Sequence, residues 1–158
     1  FRNTIIIMTS NMGSQIIQEN FSAAFDGEKL SAEVLERTRR DVVEMLKVHL
    51  KPEFFFFFDE IVMFEPLTRT DIEHIVDIQM GIIRKMLSEN GITLDYTPSA
   101  KRLIAKLGYD PLFGARPVKR VIQREVVNEL SKRILASEVN RDKPILIDAE
   151  GERLTYSN

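Results

Sequence analysis

The sequence predicts the end of a parallel α/β sheet followed by a small α+β domain. Residues 4–9 form a continuous run of mostly β-branched apolar residues, typical of a strand buried on both faces of a parallel sheet. After Pro66 the pattern changes to amphipathic helices, one alternating segment at 92–96 and a hairpin pattern at 145–156. We therefore expect a boundary between a first part, residues 1–66, and a second part, residues 67–158.

In the first part, apolar spacing and turn residues define four further elements. They are a short helix near residues 14–20, a loop around 26–27, a helix over about 32–50 and an extended segment over 54–64. Ser31 is a suitable N-cap for the longer helix, and Pro52 follows its end.

The second part predicts the element order α-β-α-α-β-β. A capping box at residues 70–73 is expected to begin the first helix, and Asn90-Gly91 to end it. Thr97-Pro98 predicts the start of the next helix. A long helix is expected from Arg116 to about Ser137, because apolar residues recur at 118, 121, 122, 126, 130 and 134.

Composition excludes several classes of protein. The 158 residues are 44% hydrophobic and 29% charged, with a net charge of -2, so no global basic field favours nucleic acid. No apolar run is long enough to span a membrane. The absence of cysteine excludes disulfides and suits a reducing compartment, and we expect a cytoplasmic protein. The chain has no initiator Met and starts on a predicted strand, so we expect a fragment of a longer protein.

The residues themselves do not predict a complete catalytic unit. There is no Gly-rich phosphate-binding loop and no Gly-x-Ser-x-Gly motif. His49 and His74 each lie alone in a predicted helix, so no metal site is predicted.

Two polar positions remain as candidates. Asn11 follows the first predicted strand, where ligands of parallel sheets bind, although it also fits a simple turn residue. Arg116 follows Gly114-Ala115 at the start of a helix, where a cation opposes the helix dipole. Its position favours an anionic partner, and a surface arginine beside a fixed turn is the alternative.

Four ordered segments carry a resemblance to a known family. They are residues 3–14, 51–54, 59–67 and 108–120, the last containing Gly-Tyr-Asp-Pro and Gly-Ala-Arg-Pro. Together they resemble the C-terminal part of the second AAA+ module of Clp/Hsp100 unfoldases, over nearly the whole chain. The resemblance implies that residues 1–66 end the large AAA+ subdomain and that residues 67–158 form the small C-terminal subdomain.

The resemblance also implies roles for individual residues. Asn11 matches sensor 1, which positions the attacking water, and Arg116, with Gly114 and Ala115, matches sensor 2, which reaches the nucleotide. The parent protein would use ATP/ADP with Mg. We expect this chain alone to bind no nucleotide tightly and to hydrolyse no ATP, because the Walker A and Walker B elements are absent.

One segment departs from the family pattern. Residues 55–58 are all phenylalanine, and position 57 should carry the arginine finger supplied to the neighbouring subunit. Phe57 cannot donate a hydrogen bond, so this function is expected to be lost.

Residues 12–53 lack the Gly-containing tripeptide of protease-coupled members, so the chain resembles the disaggregase branch, of the ClpB/Hsp104 type. The resemblance implies a hexamer of identical subunits, unfolded or aggregated polypeptide as substrate, and cooperation with Hsp70. No peptidase, nucleic acid or membrane is expected as partner. A protease-coupled unfoldase and a non-enzymatic assembly module remain as alternatives.

Overall fold

The computed structural model describes residues 2–22, 31–110 and 113–158. The chain divides into two compact units, Phe1–Pro66 and Leu67–Asn158. The predicted loop at residues 26–27 and residues 111–112 of the Gly-Tyr-Asp-Pro segment lie outside the described residues.

The described part of the first unit contains three helices. They are α1 (Ser14–Ser22), α2 (Ala32–His49) and α3 (Pro52–Phe55). The Ser31 hydroxyl accepts the Val34 N–H at 3.3 Å, as expected for an N-cap. The two helices predicted in this unit, near 14–20 and over about 32–50, are confirmed.

α1 and α2 contact each other through a small core that includes hydrogen bonds between polar side chains. Phe21 and Thr38 are both buried. The Thr38 hydroxyl donates to the Val34 carbonyl at 2.7 Å and accepts from the Asn20 side chain at 3.2 Å. The buried hydroxyl is therefore satisfied, as a polar group without access to water must be.

Two predicted extended segments of the first unit are wrong as strands. No described residue pairs with residues 4–9, and Ile5, Ile6 and Ile7 are 88%, 74% and 83% exposed. A β-strand needs a partner for its backbone groups, and the described part of the chain supplies none here. The segment 54–64 begins inside α3, because Pro52 occupies the first helical turn and residues 54–56 donate to the carbonyls of Lys51 and Pro52.

The second unit contains the predicted order of elements. They are α4 (Arg69–Ser88), β1 (Leu94–Tyr96), α5 (Pro98–Gly108), α6 (Arg116–Val121), a π-helical segment (Ile122–Val127), α7 (Asn128–Leu135), β2 (Ile145–Glu150) and β3 (Arg153–Ser157). The predicted α+β class of this part is confirmed.

A three-stranded mixed sheet supports the helices of this unit. Its order is β1-β2-β3, with β1 parallel to β2 (Leu94 opposite Ile145) and β2 antiparallel to β3 (Ile147 opposite Tyr156). The chain between β1 and β2 passes through the intervening helices, because two neighbouring parallel strands need a long crossover connection. The fully buried side chains lie on the helix and strand faces that meet; the largest are Ile72, Met80, Leu94, Ile104, Leu130, Ile145 and Ile147.

α4 begins earlier than its predicted capping box. The N-cap is Thr68, whose hydroxyl accepts the Asp71 N–H at 3.2 Å, while the Asp71 carboxylate accepts the Thr68 N–H at 2.8 Å. The hydrogen bonds from the Thr68 hydroxyl and backbone lower the pKa of Asp71 below its usual value. The box predicted at residues 70–73 therefore lies inside the helix, because Thr68 offers the same chemistry two residues earlier.

The long helix predicted from Arg116 is continuous but not uniform. α6 and α7 are joined by the π-helical segment Ile122–Val127. The buried residues Val118, Ile122, Val126 and Leu130 are spaced by four, whereas an α-helix turns in about 3.6 residues. Each four-residue step of an α-helix would drift by about 40°, and the wider π turns offset this drift. The core stripe therefore stays on one face of the helix.

Tyr156 of β3 connects the sheet to this helix through its hydroxyl and its ring. Its hydroxyl donates to the Glu125 carbonyl in the π-helical segment, and the Arg133 guanidinium lies 4.9 Å from its ring centroid. Burial, with the nearby charges of Glu125 and Glu129, raises the pKa of Tyr156 to about 12.

We expect this contact to weaken at high pH. A raised pKa means that the folded state prefers the neutral phenol, so the stabilisation is complete below about pH 10 and is lost as the pH rises to about 12. Because the ring is partly exposed and solvent screens the charges, we expect a loss of about 1–2 kcal/mol. Urea unfolding should be measured for the chain and for Tyr156→Phe across this pH range. The difference between their free energies of unfolding should shrink as the pH rises. A difference independent of pH would contradict the assignment.

Candidate functional site

A tight turn positions the start of α6. Asp110 and Gly114 exchange backbone hydrogen bonds, with N···O distances of 3.0 Å and 2.6 Å, and the Asp110 carboxylate accepts the Phe113 N–H at 3.0 Å. Gly114 has φ +60°, a left-handed conformation that glycine adopts without steric cost. The chain therefore enters α6 from a fixed direction.

Arg116 is the first residue of α6 and its side chain is exposed. Ala115 occupies the N-cap and supplies no side-chain hydrogen bond. The Arg116 and Val118 N–H groups donate to the carbonyls of Phe113 and Ala115, and Pro117 has no N–H. Arg116 forms no ion pair with any residue that the structure describes. A cation and the positive end of the helix dipole thus lie together, which is an arrangement suited to an anion.

The contact between α5 and α6 fixes where this arginine lies. A Cβ added to Gly108 would lie 2.7 Å from Val118 Cγ2 and 2.8 Å from Val118 Cα. Only glycine permits this approach of the two helices. Gly108 is the first residue of the Gly-Tyr-Asp-Pro segment, and no signal within the single sequence revealed its role in packing.

Asn11 lies in a turn before α1 in the first unit, and its side chain is exposed. Its carbonyl accepts the Ser14 N–H at 3.2 Å, and the Ser10 hydroxyl accepts the Met12 N–H at 3.1 Å. The Asn11 side chain makes no hydrogen bond with a described residue. It is therefore available to a ligand, while the turn around it is held by its neighbours.

Phe57 lies just beyond α3 with 80% of its side chain exposed, and Phe56 is 83% exposed. Phe54, Phe55 and Phe58 pack edge to face, with ring centroids 5.3 Å apart for Phe54 and Phe58 and 6.3 Å apart for Phe55 and Phe58. Phe56 also lies edge to face against Phe55, with ring centroids 6.4 Å apart, while most of its ring is exposed. The helical turn leaves the ring of Phe57 in solvent.

Other kinds of site are not found in the described part of the chain. Among residues 2–22, 31–110 and 113–158, no three His, Asp or Glu side chains are grouped so as to hold a metal ion. Of the helices described, none has the length and apolar character required to cross a bilayer.

Fold and motif together define a small AAA+-type α+β domain, and comparison with known proteins places it in a family. The model of the C-terminal, D2-small domain of ClpB protein matches residues 67–147. The chain therefore belongs to the ClpB family, which confirms the predicted kinship.

Known ClpB proteins extend the match over the whole chain. The chaperone protein ClpB of Bacteroides thetaiotaomicron is 49% identical over 162 residues, covering 100% of this chain and 18% of the relative. The ClpB of Porphyromonas gingivalis is 44% identical over 162 residues, again covering 100% of this chain and 18% of the relative. The chain thus spans about a fifth of the length of these relatives.

Solved structures show the same fold. The Saccharomyces cerevisiae Hsp104-ADP complex superposes with a TM-score of 0.72 at 34% identity, covering 95% of this chain and 24% of that chain. The S. cerevisiae Hsp104:casein complex in its extended conformation gives a TM-score of 0.70 at 33% identity, covering 99% of this chain and 26% of that chain.

The packing that places Arg116 is testable through two glycines. We expect Gly108→Ala to lower the free energy of unfolding by about 1–3 kcal/mol or more, because the added methyl group meets Val118 backbone. Gly81→Ala is the matched control: Gly81 lies at an exposed position of α4, the added methyl group meets nothing within 4 Å, and the change should stabilise by about 0.5–1 kcal/mol. Urea unfolding midpoints measure both, and equal shifts would contradict the close contact.

Proposed function

We propose that this chain is the C-terminal part of the second AAA+ module of an ATP-dependent protein disaggregase. Residues 1–66 would end the large subdomain and residues 67–158 would form the small subdomain. Membership of the ClpB family and the likeness to Hsp104 over nearly the whole chain support this proposal.

Arg116 is the observation that carries the proposal. It is an exposed guanidinium without an ionic partner among the described residues, at the positive end of a helix dipole. A nucleotide phosphate would pair with this guanidinium and is favoured by the dipole. In the intact protein, Arg116 would sense whether the γ-phosphate is present and transmit this to the position of the small subdomain.

ATP and ADP with Mg would be bound by the intact protein rather than by this chain. The phosphate-binding loop and the metal-binding acid are not in this sequence. The solved Hsp104 relative is a complex with ADP, which supports a nucleotide as the anion. Asn11 would contribute from the large subdomain by orienting the attacking water.

Unfolded or aggregated polypeptide is the substrate we propose, passed through a hexameric ring of identical subunits. The complex of Hsp104 with casein supports a polypeptide substrate. Cooperation with an Hsp70 system follows from the disaggregase branch. We propose the cytoplasm as the location, a reducing compartment that suits a chain without cysteine.

An assembly module without a role in catalysis is the second candidate. One face of α4 exposes Ile78, Ile82 and Met86, at 56%, 57% and 45%. Apolar residues four apart on one helix face suit packing against a neighbour. In this case Arg116 would serve assembly and not nucleotide chemistry.

Substitution of Arg116 distinguishes the two candidates in the full-length protein. We expect Arg116→Ala to weaken nucleotide affinity or slow hydrolysis by about tenfold or more with the ring intact, because a charge-assisted hydrogen bond contributes about 1.5–3 kcal/mol. Arg120→Ala is the matched control, since Arg120 is exposed on the same helix. ATPase assays measure hydrolysis, and sedimentation measures assembly of the ring. Loss of the ring with normal nucleotide affinity would favour the assembly module.

A second test restores the residue that the family pattern expects at position 57. In the full-length protein, we expect Phe57→Arg to raise ATP hydrolysis at least tenfold, because arginine fingers accelerate well-studied NTPases by about 10³-fold or more. Phe56→Arg is the control, since it adds the same charge at an equally exposed neighbour. Equal steady-state rates for both variants would show that position 57 does not face a nucleotide.

A further inference from the structure

The two edges of the three-stranded sheet differ in how they are protected. At the β1 edge, Arg84 Nε donates to the Leu94 carbonyl at 2.8 Å, and the same guanidinium pairs with Asp95. At the other edge, β3 pairs only with β2 among the described strands. The backbone groups of β3 that face away from β2 are therefore open to another strand.

A cavity of about 670 Å³ runs beside this open edge. One wall consists of the consecutive residues 152–156, and the other of side chains from the long helix, Arg124, Glu125, Glu129 and Arg133. Successive residues of a strand point to opposite faces, so a cavity lined by a consecutive run lies along the strand's edge. We call this cavity the β3 groove.

In the β3 groove the glutamates all have ion-pair partners, whereas one arginine has none among the described residues. Each of its carboxylates has a cation nearby; the pairs are Glu125 with Arg124 at 2.6 Å, Glu129 with Lys132 at 3.5 Å and Glu152 with Lys106 at 3.0 Å. Arg153 is exposed and forms no ion pair with a described residue. The lining holds three arginines and three glutamates, and Arg153 is the arginine among them that no described carboxylate pairs with.

Arg133 adds a second unsatisfied donor. Its Nε is buried without a hydrogen-bond partner among the described residues, and the nearest carboxylate oxygen, from Glu129, is 3.8 Å away. That distance is too long for a hydrogen bond. The Arg133 side chain as a whole is 37% exposed, so an oxygen in the groove can reach the terminal nitrogens of its guanidinium.

We propose that the β3 groove binds an extended acidic peptide segment of a partner protein, which adds to the sheet as a fourth strand. The open backbone edge selects an extended peptide over a small anion, since a small anion leaves the edge unpaired. Arg153 and Arg133 select carboxylate side chains and repel basic ones. β3 has five residues, so the bound segment spans about 17 Å. This site is independent of the nucleotide role proposed for Arg116.

Fluorescence anisotropy of labelled peptides with the 158-residue chain tests the proposal. We expect a short peptide alternating Glu and Thr to bind, and the same peptide with Lys in place of Glu not to bind. A version N-methylated at alternate backbone nitrogens should lose binding, because it cannot pair with the strand. Arg153→Glu should weaken binding of the Glu peptide about tenfold or more, and should improve binding of the Lys peptide.

Arg141→Glu is the matched control, an exposed arginine of the same unit outside the groove, and it should leave binding unchanged. Equal binding of Glu and Lys peptides, binding unaffected by N-methylation, or no binding of the Glu peptide would overturn the proposal. Sedimentation of the chain alone addresses a second copy as occupant. A dimer that Arg153→Glu dissociates would also overturn the assignment to a partner's peptide.

Discussion

The approach of Gly108 to Val118 is the contact on which the geometry of the second unit depends. A single methyl group at position 108 would lie within 2.8 Å of Val118 backbone, so the end of α5 and the start of α6 can meet only at glycine. The Asp110–Gly114 turn closes the short connection between them. Together they hold Arg116 at the head of a long helix, with its side chain in solvent. Gly108, which has no side chain, therefore determines where the side chain of Arg116 lies.

The same helix links the two surfaces that we consider functional. Its core residues recur every four positions, and the π-helical segment Ile122–Val127 keeps them facing the sheet. That segment also brings the Glu125 carbonyl to the Tyr156 hydroxyl, beside the β3 groove. Arg116 lies at the other end of the helix. The spacing of core residues thus sets both the end of the helix that carries Arg116 and the groove wall, although neither surface is itself part of the core.

The first unit shows how far local sequence can mislead. Ile5, Ile6 and Ile7 have the composition of a buried strand but are mostly exposed, because strand structure belongs to a pair of segments and no described residue provides the second. Phe56 and Phe57 are exposed for a different reason: Pro52 starts a helical turn, which leaves Phe57 in solvent and places Phe56 at the edge of the ring cluster, against Phe55. Both outcomes depend on geometry that a residue's hydrophobicity does not encode.

The sequence by itself determined the helices, their order and the α+β class of the second part, because amphipathic spacing and caps such as Thr97-Pro98 act within a few residues. It also singled out Asn11, by its place after a predicted strand, and Arg116, a cation at the start of a helix. The tertiary structure decided what depends on distant contacts: the need for glycine at 108, the π-helical segment, the strand edge left open at β3 and the unsatisfied Nε of Arg133. These features arise where segments far apart in the chain meet, and a local pattern carries no record of which segments those are.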